Sequence, residues 1–501
     1  MDDKRLAQKN KKEAWVKIFG VIRYLLVFIF SFLSIYYVCK GEQELFQVPK
    51  DLGFYQGCLF FCILLFIIRK ISIKKIEVWL TLTVGIIAVL LYFRLKDISP
   101  STYGKDYYRV VLFPYIIGVL SISLLADLIR GRGKEIFKRI NWFGILLICV
   151  FGWAVINKNT DIVPLLFPMV ALYTTIIEED EWLIISDLFI LAFYIVFVIW
   201  MVNSYLNYGD KYSAGRFIGA FLREDTGGPI CGGAIVSGLY FIGRFTFSKA
   251  KKWYKLFLGI LMTTIPIFIT LKMGCRSSLF GLAFAILLFI VFFVGKKSPQ
   301  RLVIRGSIAL AVFVLIIVMV FSIAYISAKQ MENGTYDGSK HGYLYNHIAV
   351  LVHPSFRSGY FGEDSILNAL DSFSSERLKI WDASLKLVEP MGKPYEGIYI
   401  EWNNWGGCGT AHSFFVEMLV EYGGIGGTLV ILCYLLAIAL AAVKCAKRNK
   451  STILTLLWTS FCLGPFIGIS LYWKATVSFI LLIILYPLCF KERNIERKRE
   501  E

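Results

Sequence analysis

Residues 16–38, VKIFGVIRYLLVFIFSFLSIYYV, decide the fold class. The run is close to the ~20 apolar residues a helix needs to cross roughly 30 Å of hydrocarbon, and it lacks the polar face that a surface helix of a soluble protein would keep. A basic head of Lys4, Arg5, Lys9, Lys11 and Lys12 precedes it, and no small-x-small cleavage pattern stands before Cys39. It therefore reads as a retained first span whose N-terminus lies inside.

Similar runs recur along the chain. With 57% hydrophobic and 18% charged residues in 501, the bilayer is the natural solvent. Matching apolar runs to their flanking charges gives twelve to fourteen spans, at about 16–38, 53–68, 76–93, 109–129, 140–157, 162–177, 183–203, 229–243, 256–271, 279–294, 306–326, 411–443, 453–471 and 475–490. The run at 411–443 is long enough for an interfacial helix followed by a span. The expected fold is all-α, a polytopic transmembrane helical bundle with a long extracytoplasmic loop of short helices.

The net charge of +18 follows the membrane rather than a nucleic acid. Lys and Arg concentrate in alternate connections (69–75, 130–139, 244–255, 296–305, 444–450 and 491–499), as the positive-inside rule requires. Glu178, Glu179, Asp180 and Glu181 form one acidic inner connection that departs from the rule. The expected organisation is a basic cytoplasmic N-terminus (1–15), eleven spans (16–326) with an outer loop at 203–228, a long extracytoplasmic loop (327–410), an interfacial helix with the last spans (411–490) and a basic cytoplasmic tail (491–501).

Most of the eleven cysteines, including Cys58, Cys62, Cys149, Cys433, Cys462 and Cys489, fall in apolar runs and read as packing residues. Cys231, Cys275 and Cys408 lie nearer the outer face, but their spacing demands no disulfide. No Cys/His pattern proposes a metal, and no motif proposes a cofactor.

Three outer segments carry candidate chemistry. Arg276, in Met-Gly-Cys-Arg-Ser-Ser, stands at a helix start, where Ser277 or Ser278 could cap and free N–H groups could join the guanidinium in holding phosphate. A boundary arginine reaching for lipid headgroups is the bland alternative. Arg216 also lies outside, ahead of a span expected to open at Gly-Gly-Pro229, with Arg223 and Lys272 able to add charge. In the long loop, Ser374-Ser-Glu-Arg377-Leu-Lys-Ile-Trp381 reads as a capped amphipathic helix with Arg377 and Trp381 on one face. That face suits a sugar and a phosphate, or ordinary packing.

All four histidines (His341, His347, His353 and His412) fall in the long loop or at its end. His412 follows Gly406-Gly-Cys-Gly-Thr-Ala and opens an apolar helix, so its imidazole could accept a proton from a hydroxyl near neutral pH. The other three fit neither a helix face nor a metal set.

Taken together, these motifs resemble the bacterial O-antigen ligase and surface-polysaccharide polymerase superfamily. The resemblance rests on His412-Ser413, nine residues, then Gly423-x-x-Gly426; on Arg216-x-x-Gly219; on Cys275-Arg-Ser before a span; and on Ser375-x-Arg377-Leu-x-x-Trp381. It covers about 200–445, and Asp225-Thr-Gly-Gly-Pro-Ile stands where Pro-Asn is usual. It implies a glycosyltransferase-C-like bundle in the bacterial cytoplasmic membrane, with its active face outside. It further implies metal-independent, inverting transfer between a polyprenyl-diphosphate-linked glycan donor and an acceptor, with membrane lipid around the site. Arg216, Arg276 and Arg377 would bind the diphosphate, Arg276 and His412 would be catalytic, and Trp381 would face the glycan. A chain-length regulator and a flippase are implied partners, and nucleic acid is not. Polymerase and ligase both remain open, as does a flippase, although no internal repeat favours a transporter.

Overall fold

The computed structural model describes residues 2–43, 52–69, 133–157, 163–208, 212–213, 216–217, 224–247, 252–273, 275–293, 377–392, 400–403, 406–408, 411–447, 449–468 and 475–490. The expected spans at 76–93, 109–129 and 306–326, and His341, His347 and His353, lie outside them.

Apolar runs become helices because, away from water, only a helix satisfies almost every backbone polar group within its own segment, and Pro168, Pro229, Pro266 and Pro465 are each carried inside one. In chain order these are α1 (Asp2–Gln43), α2 (Leu52–Ile68), α3 (Gly133–Arg139), α4 (Trp142–Ile156), α5 (Val163–Thr174), α6 (Glu179–Asn203), α7 (Glu224–Phe247), α8 (Trp253–Met273), α9 (Arg276–Phe293), α10 (Arg377–Leu385), α11 (Phe414–Glu421), α12 (Gly423–Ala446), α13 (Ile453–Gly468) and α14 (Thr476–Ile484). Among the described residues, six helices are long and apolar enough to cross a membrane, and four shorter ones are apolar as well. Large apolar side chains face outward along α1 (Ile18, Phe19, Val21) and α8 (Trp253, Tyr254, Phe257, Phe268). A soluble monomer would not leave such surfaces in water, so the protein is a polytopic helical membrane protein.

Three details refine these expectations. The run at 162–177 yields only the twelve-residue α5, which carries Pro168 within it. The run at 411–443 divides into α11 and α12, because Gly423 takes φ +75° and breaks the helix. Two short antiparallel hairpins, β1 (Tyr212–Ser213) with β2 (Arg216–Phe217) and β3 (Ile400–Asn403) with β4 (Gly406–Cys408), join the otherwise helical chain.

The chain forms two compact units. The first comprises Met1–Ile148, Thr160–Trp200 and Lys474–Glu501. In it α1 packs on α2, and Arg23, halfway along α1, ties it to the end of α2: Nε and Nη2 donate to the carbonyls of Ile67 (3.2 Å) and Ile68 (2.9 Å), and Nη2 also pairs with Glu181. This explains the acidic connection. Glu179, Asp180 and Glu181 occupy the first turn of α6, where the helix dipole favours negative charge, and Glu181 meets Arg23 rather than lipid. At the C-terminal end of α1, Glu42 accepts from the Thr476 N–H (3.0 Å) and hydroxyl (2.6 Å), satisfying the start of α14.

The second unit comprises Cys149–Asn159 and Met201–Trp473 and holds every candidate site residue. Its core is the trio α7, α9 and α13, which pack against one another. Small residues permit the close approach: a Cβ on Gly464 would strike the α9 backbone at Ser277 and Gly281, and a Cβ on Gly281 would strike the Phe461 carbonyl. Ser277-x-x-x-Gly281 on α9 thus meets Gly464-x-x-x-Gly468 on α13, the small-residue packing that membrane helices use when no hydrophobic effect draws them together. Thr459 and Ser460, fully buried on α13, return their hydroxyls to carbonyls of their own helix.

Candidate functional site

The contact between α9 and α13 fixes the Arg276 turn. Arg276 is the first residue of α9, and the chain arrives there directly from α8 through Cys275. The two serines expected to cap α9 lie inside its first turn, and both turn toward the Cys275 sulfur, Ser277 Oγ at 3.4 Å and Ser278 Oγ at 3.3 Å. Gly228 packs its Cα against the same cysteine, which brings the starts of α7 and α9 together. α7 itself begins at Glu224, a turn earlier than expected, and carries Pro229 within it. Cys231 and Cys275 are free, buried thiols that pack rather than cross-link.

Arg377 reaches this same place from the long loop. Its Nη1 stands 2.9 Å from the point where a Cβ on Gly468 would be, and the Ser277 Cβ stands 2.6 Å from that point. The guanidinium therefore lies beside the first turn of α9, over the end of α13, where the absence of a side chain on Gly468 makes room. α10 spans Arg377–Leu385, so Arg377 and Trp381 share a face, one turn apart.

The other end of that face holds the histidine loop. Trp381 donates its indole N–H to the Ala411 carbonyl at 3.1 Å, and its ring packs with the cluster of Ile380, Ala411 and Val416. His412 has φ +50°, the only non-glycine in the left-handed region among the described residues. Histidine tolerates that region better than most residues, but the conformation persists only where neighbours impose it. Here they do. Ser413, the N-cap of α11, spends its hydroxyl not on the helix but on the Phe466 carbonyl of α13 (3.3 Å), while Phe414 stacks on Phe466 with centroids 4.4 Å apart.

The Gly-x-x-Gly pair following the histidine has a packing explanation. Gly423 and Gly392 both have positive φ and face each other, and the N–H groups of Gly424 and Ile425 donate to the carbonyls of Glu389 (2.8 Å) and Pro390 (3.2 Å). The turn after α10 thus supplies acceptors for the orphan donors at the start of α12. Gly426 admits the Trp153 indole, whose N–H reaches the Tyr422 carbonyl at 2.9 Å. Nine residues from Ser413 to Gly423 are what α11 needs to run its length and turn.

The described contacts therefore bring together the Arg276 turn, Arg377, Trp381 and the His412 loop. Arg216 lies on β2, which packs on α8, the helix that leads into Arg276. One residue escaped the sequence reading: Glu417 on α11 is buried, with 6% of its surface exposed, and its Oε1 accepts from the Ala411 N–H at 3.1 Å. The available signal was a single carboxylate in the apolar stretch Phe414–Val420.

This is a multi-pass membrane protein with arginines and a constrained histidine gathered at the helix ends of one unit. Residues 261–432 match the family model described as O-antigen ligase, a segment that contains Arg276, Arg377, Trp381, His412 and both motif glycines and leaves Arg216 upstream. The match supports the O-antigen ligase and polymerase superfamily, a ligase- or polymerase-type glycosyltransferase function and lipid-linked glycan substrates. No curated protein and no solved structure matches the chain.

Proposed function

We propose that the protein is a polymerase that joins polyprenyl-diphosphate-linked oligosaccharide repeat units into a surface polysaccharide, such as O-antigen, capsule or exopolysaccharide, at the outer face of a bacterial cytoplasmic membrane. The observation that carries this reading is the single face of α10, which meets the Arg276 turn at Arg377 and the His412 loop at Trp381. An anion-binding group and a proton acceptor at the two ends of one helix face suit a reaction with a charged leaving group and a hydroxyl nucleophile.

In the proposed step, an acceptor hydroxyl oxygen attacks the anomeric carbon of the donor, and the bond from that carbon to the diphosphate oxygen breaks with its electron pair. The diphosphate leaves with the lipid, and His412 takes the hydroxyl proton, inverting the anomeric centre without a metal. Arg276, Arg377 and Arg216 stabilise the charge that develops on the leaving oxygens; arginine suits this because its planar fork meets phosphate in two hydrogen bonds. Trp381 forms the sugar-side wall while its indole N–H holds the loop. The 327–410 segment would cover the glycan, and a flippase and chain-length regulator would act before and alongside the enzyme.

The second reading is a ligase that transfers a finished glycan to lipid or protein, favoured by the description of the matching family. Reconstitution in proteoliposomes with a polyprenyl-diphosphate oligosaccharide separates the two. A ladder of products differing by one repeat supports the polymerase, and a single transfer to an added acceptor with no ladder refutes it.

A further inference from the structure

We infer that Glu417 is a positioning residue for His412, an inference that rests on the catalytic reading of His412 proposed above. Three contacts bracket the histidine. Ahead of it, Ala411 is held through both of its backbone groups, its N–H by Glu417 Oε1 and its carbonyl by the Trp381 indole, each at 3.1 Å. Behind it, Ser413 is held to Phe466 through its hydroxyl. The residue left between these anchors is the one with φ +50°.

Where Glu417 reaches is the informative point. Ser413 is the N-cap and Phe414 the first residue of α11, so Glu417 stands in the first turn and a half of the helix. A carboxylate this close to a helix start ordinarily serves the helix's own free donors and dipole. This one passes over Ser413 and His412 and takes the donor on the far side of the histidine. Its neighbours on the helix are Val416 and Met418, both buried, so an apolar side chain of similar size would fill the space without the expense of removing a carboxylate from water. Helix stability does not call for the glutamate, whereas the path of the loop does. With Ala411 and Ser413 both fixed, the backbone of His412 has one conformation, and its imidazole starts from one place relative to Arg377 and the Arg276 turn. Catalytic geometry is sensitive at this scale, since displacement of a reacting group by about 1 Å costs on the order of 100-fold in rate.

The test is steady-state kinetics of the full-length protein in proteoliposomes, with a polyprenyl-diphosphate oligosaccharide as donor, on Glu417→Ala, Glu417→Gln, Glu417→Leu, Trp381→Phe and His412→Ala. Glutamine keeps an acceptor oxygen for the Ala411 N–H. Glu417→Ala is expected to lower kcat about 10- to 100-fold, the size of a lost hydrogen bond to a charged group, with donor KM within about twofold. Glu417→Gln restores kcat to within about threefold. Trp381→Phe removes the donor to the Ala411 carbonyl together with part of the sugar-side wall, so kcat falls in the same direction and KM is free to change. Glu417→Leu, which keeps the bulk and loses the acceptor, decides the matter if Glu417→Ala does not fold, and is expected to lower kcat as Glu417→Ala does. Wild-type kcat in Glu417→Ala and Trp381→Phe, with His412→Ala inactive, overturns the inference alone. Equal losses in Glu417→Ala and Glu417→Gln also overturn it, because the acceptor bond is then not what matters. Full activity in His412→Ala instead sinks the catalytic reading beneath it.

Discussion

Replacing Gly468 by alanine tests the meeting of α9, α13 and α10 with one methyl group. The added carbon would stand 2.6 Å from the Ser277 Cβ and 2.9 Å from Arg377 Nη1. Carbon atoms in contact rest at about 3.5–4.0 Å, so the Ser277 side must move by about 1 Å. Ser277 cannot retreat alone, because its Cβ is fixed to the first turn of α9 and the neighbouring Gly464 already lies against its carbonyl. The helix ends separate, and the guanidinium of Arg377 is pushed from its place. Overpacking of this kind costs roughly 1–3 kcal/mol of stability. A displacement of ~1 Å between two groups proposed to share a diphosphate should lower turnover ten- to a hundredfold, beyond what the stability loss explains. The assay is polymer formation in proteoliposomes at matched amounts of folded protein, with thermal unfolding in detergent measured in parallel. Gly152→Ala is the control, since nothing lies within 4 Å of a Cβ there. If Gly468→Ala turns over at the wild-type rate, Arg377 and the Arg276 turn do not act together.

Three further outcomes follow from the same contacts. Gly423→Ala forces a side chain into the left-handed region and against the Gly392 turn, so it should destabilise the protein by about 2 kcal/mol or more in detergent unfolding. Arg23→Ala removes the donor to the last carbonyls of α2 and leaves Glu181 without its arginine. A loss of about 1–3 kcal/mol with turnover of the remaining folded protein unchanged is expected, because Arg23 and the site belong to different units. Arg276→Lys keeps the charge and loses the two-pronged fork, so turnover should fall at least tenfold while membrane insertion is unaffected.

The polytopic helical fold was legible because apolar length is a strong signal, and the break in 411–443 was legible because the run exceeded one span. The resemblance placed the histidine, the arginines and the glycines in order, and residues 261–432 carry the corresponding family match. Local propensity misled at the helix starts. Pro229 looked like a first residue, yet α7 begins at Glu224, and Ser277 and Ser278 looked like caps, yet both turn to the Cys275 sulfur. Each depends on a partner far away in sequence: α7 and α9 meet through Gly228, which no local rule anticipates. For the same reason the glycines of the Gly-x-x-Gly pair could be named but not explained until Gly392 and Trp153 were seen against them. Glu181 stood in an acidic connection that departed from the positive-inside rule, and its ion pair with Arg23, 158 residues away in sequence, accounts for it. Glu417 was hidden by its surroundings, since a single carboxylate in an apolar stretch gives no hint that it will reach back across the histidine.

The central claim is that the Arg276 turn and the His412 loop form one glycosyl-transfer site. Its most direct test is the initial rate of glycan transfer from a polyprenyl-diphosphate oligosaccharide by His412→Ala and Arg276→Ala, each inserted in proteoliposomes in the same amount as the wild-type protein. The account predicts that each loses on the order of 100-fold or more, the usual contribution of a general base or of a charge-stabilising donor. Full transfer by both variants would contradict it.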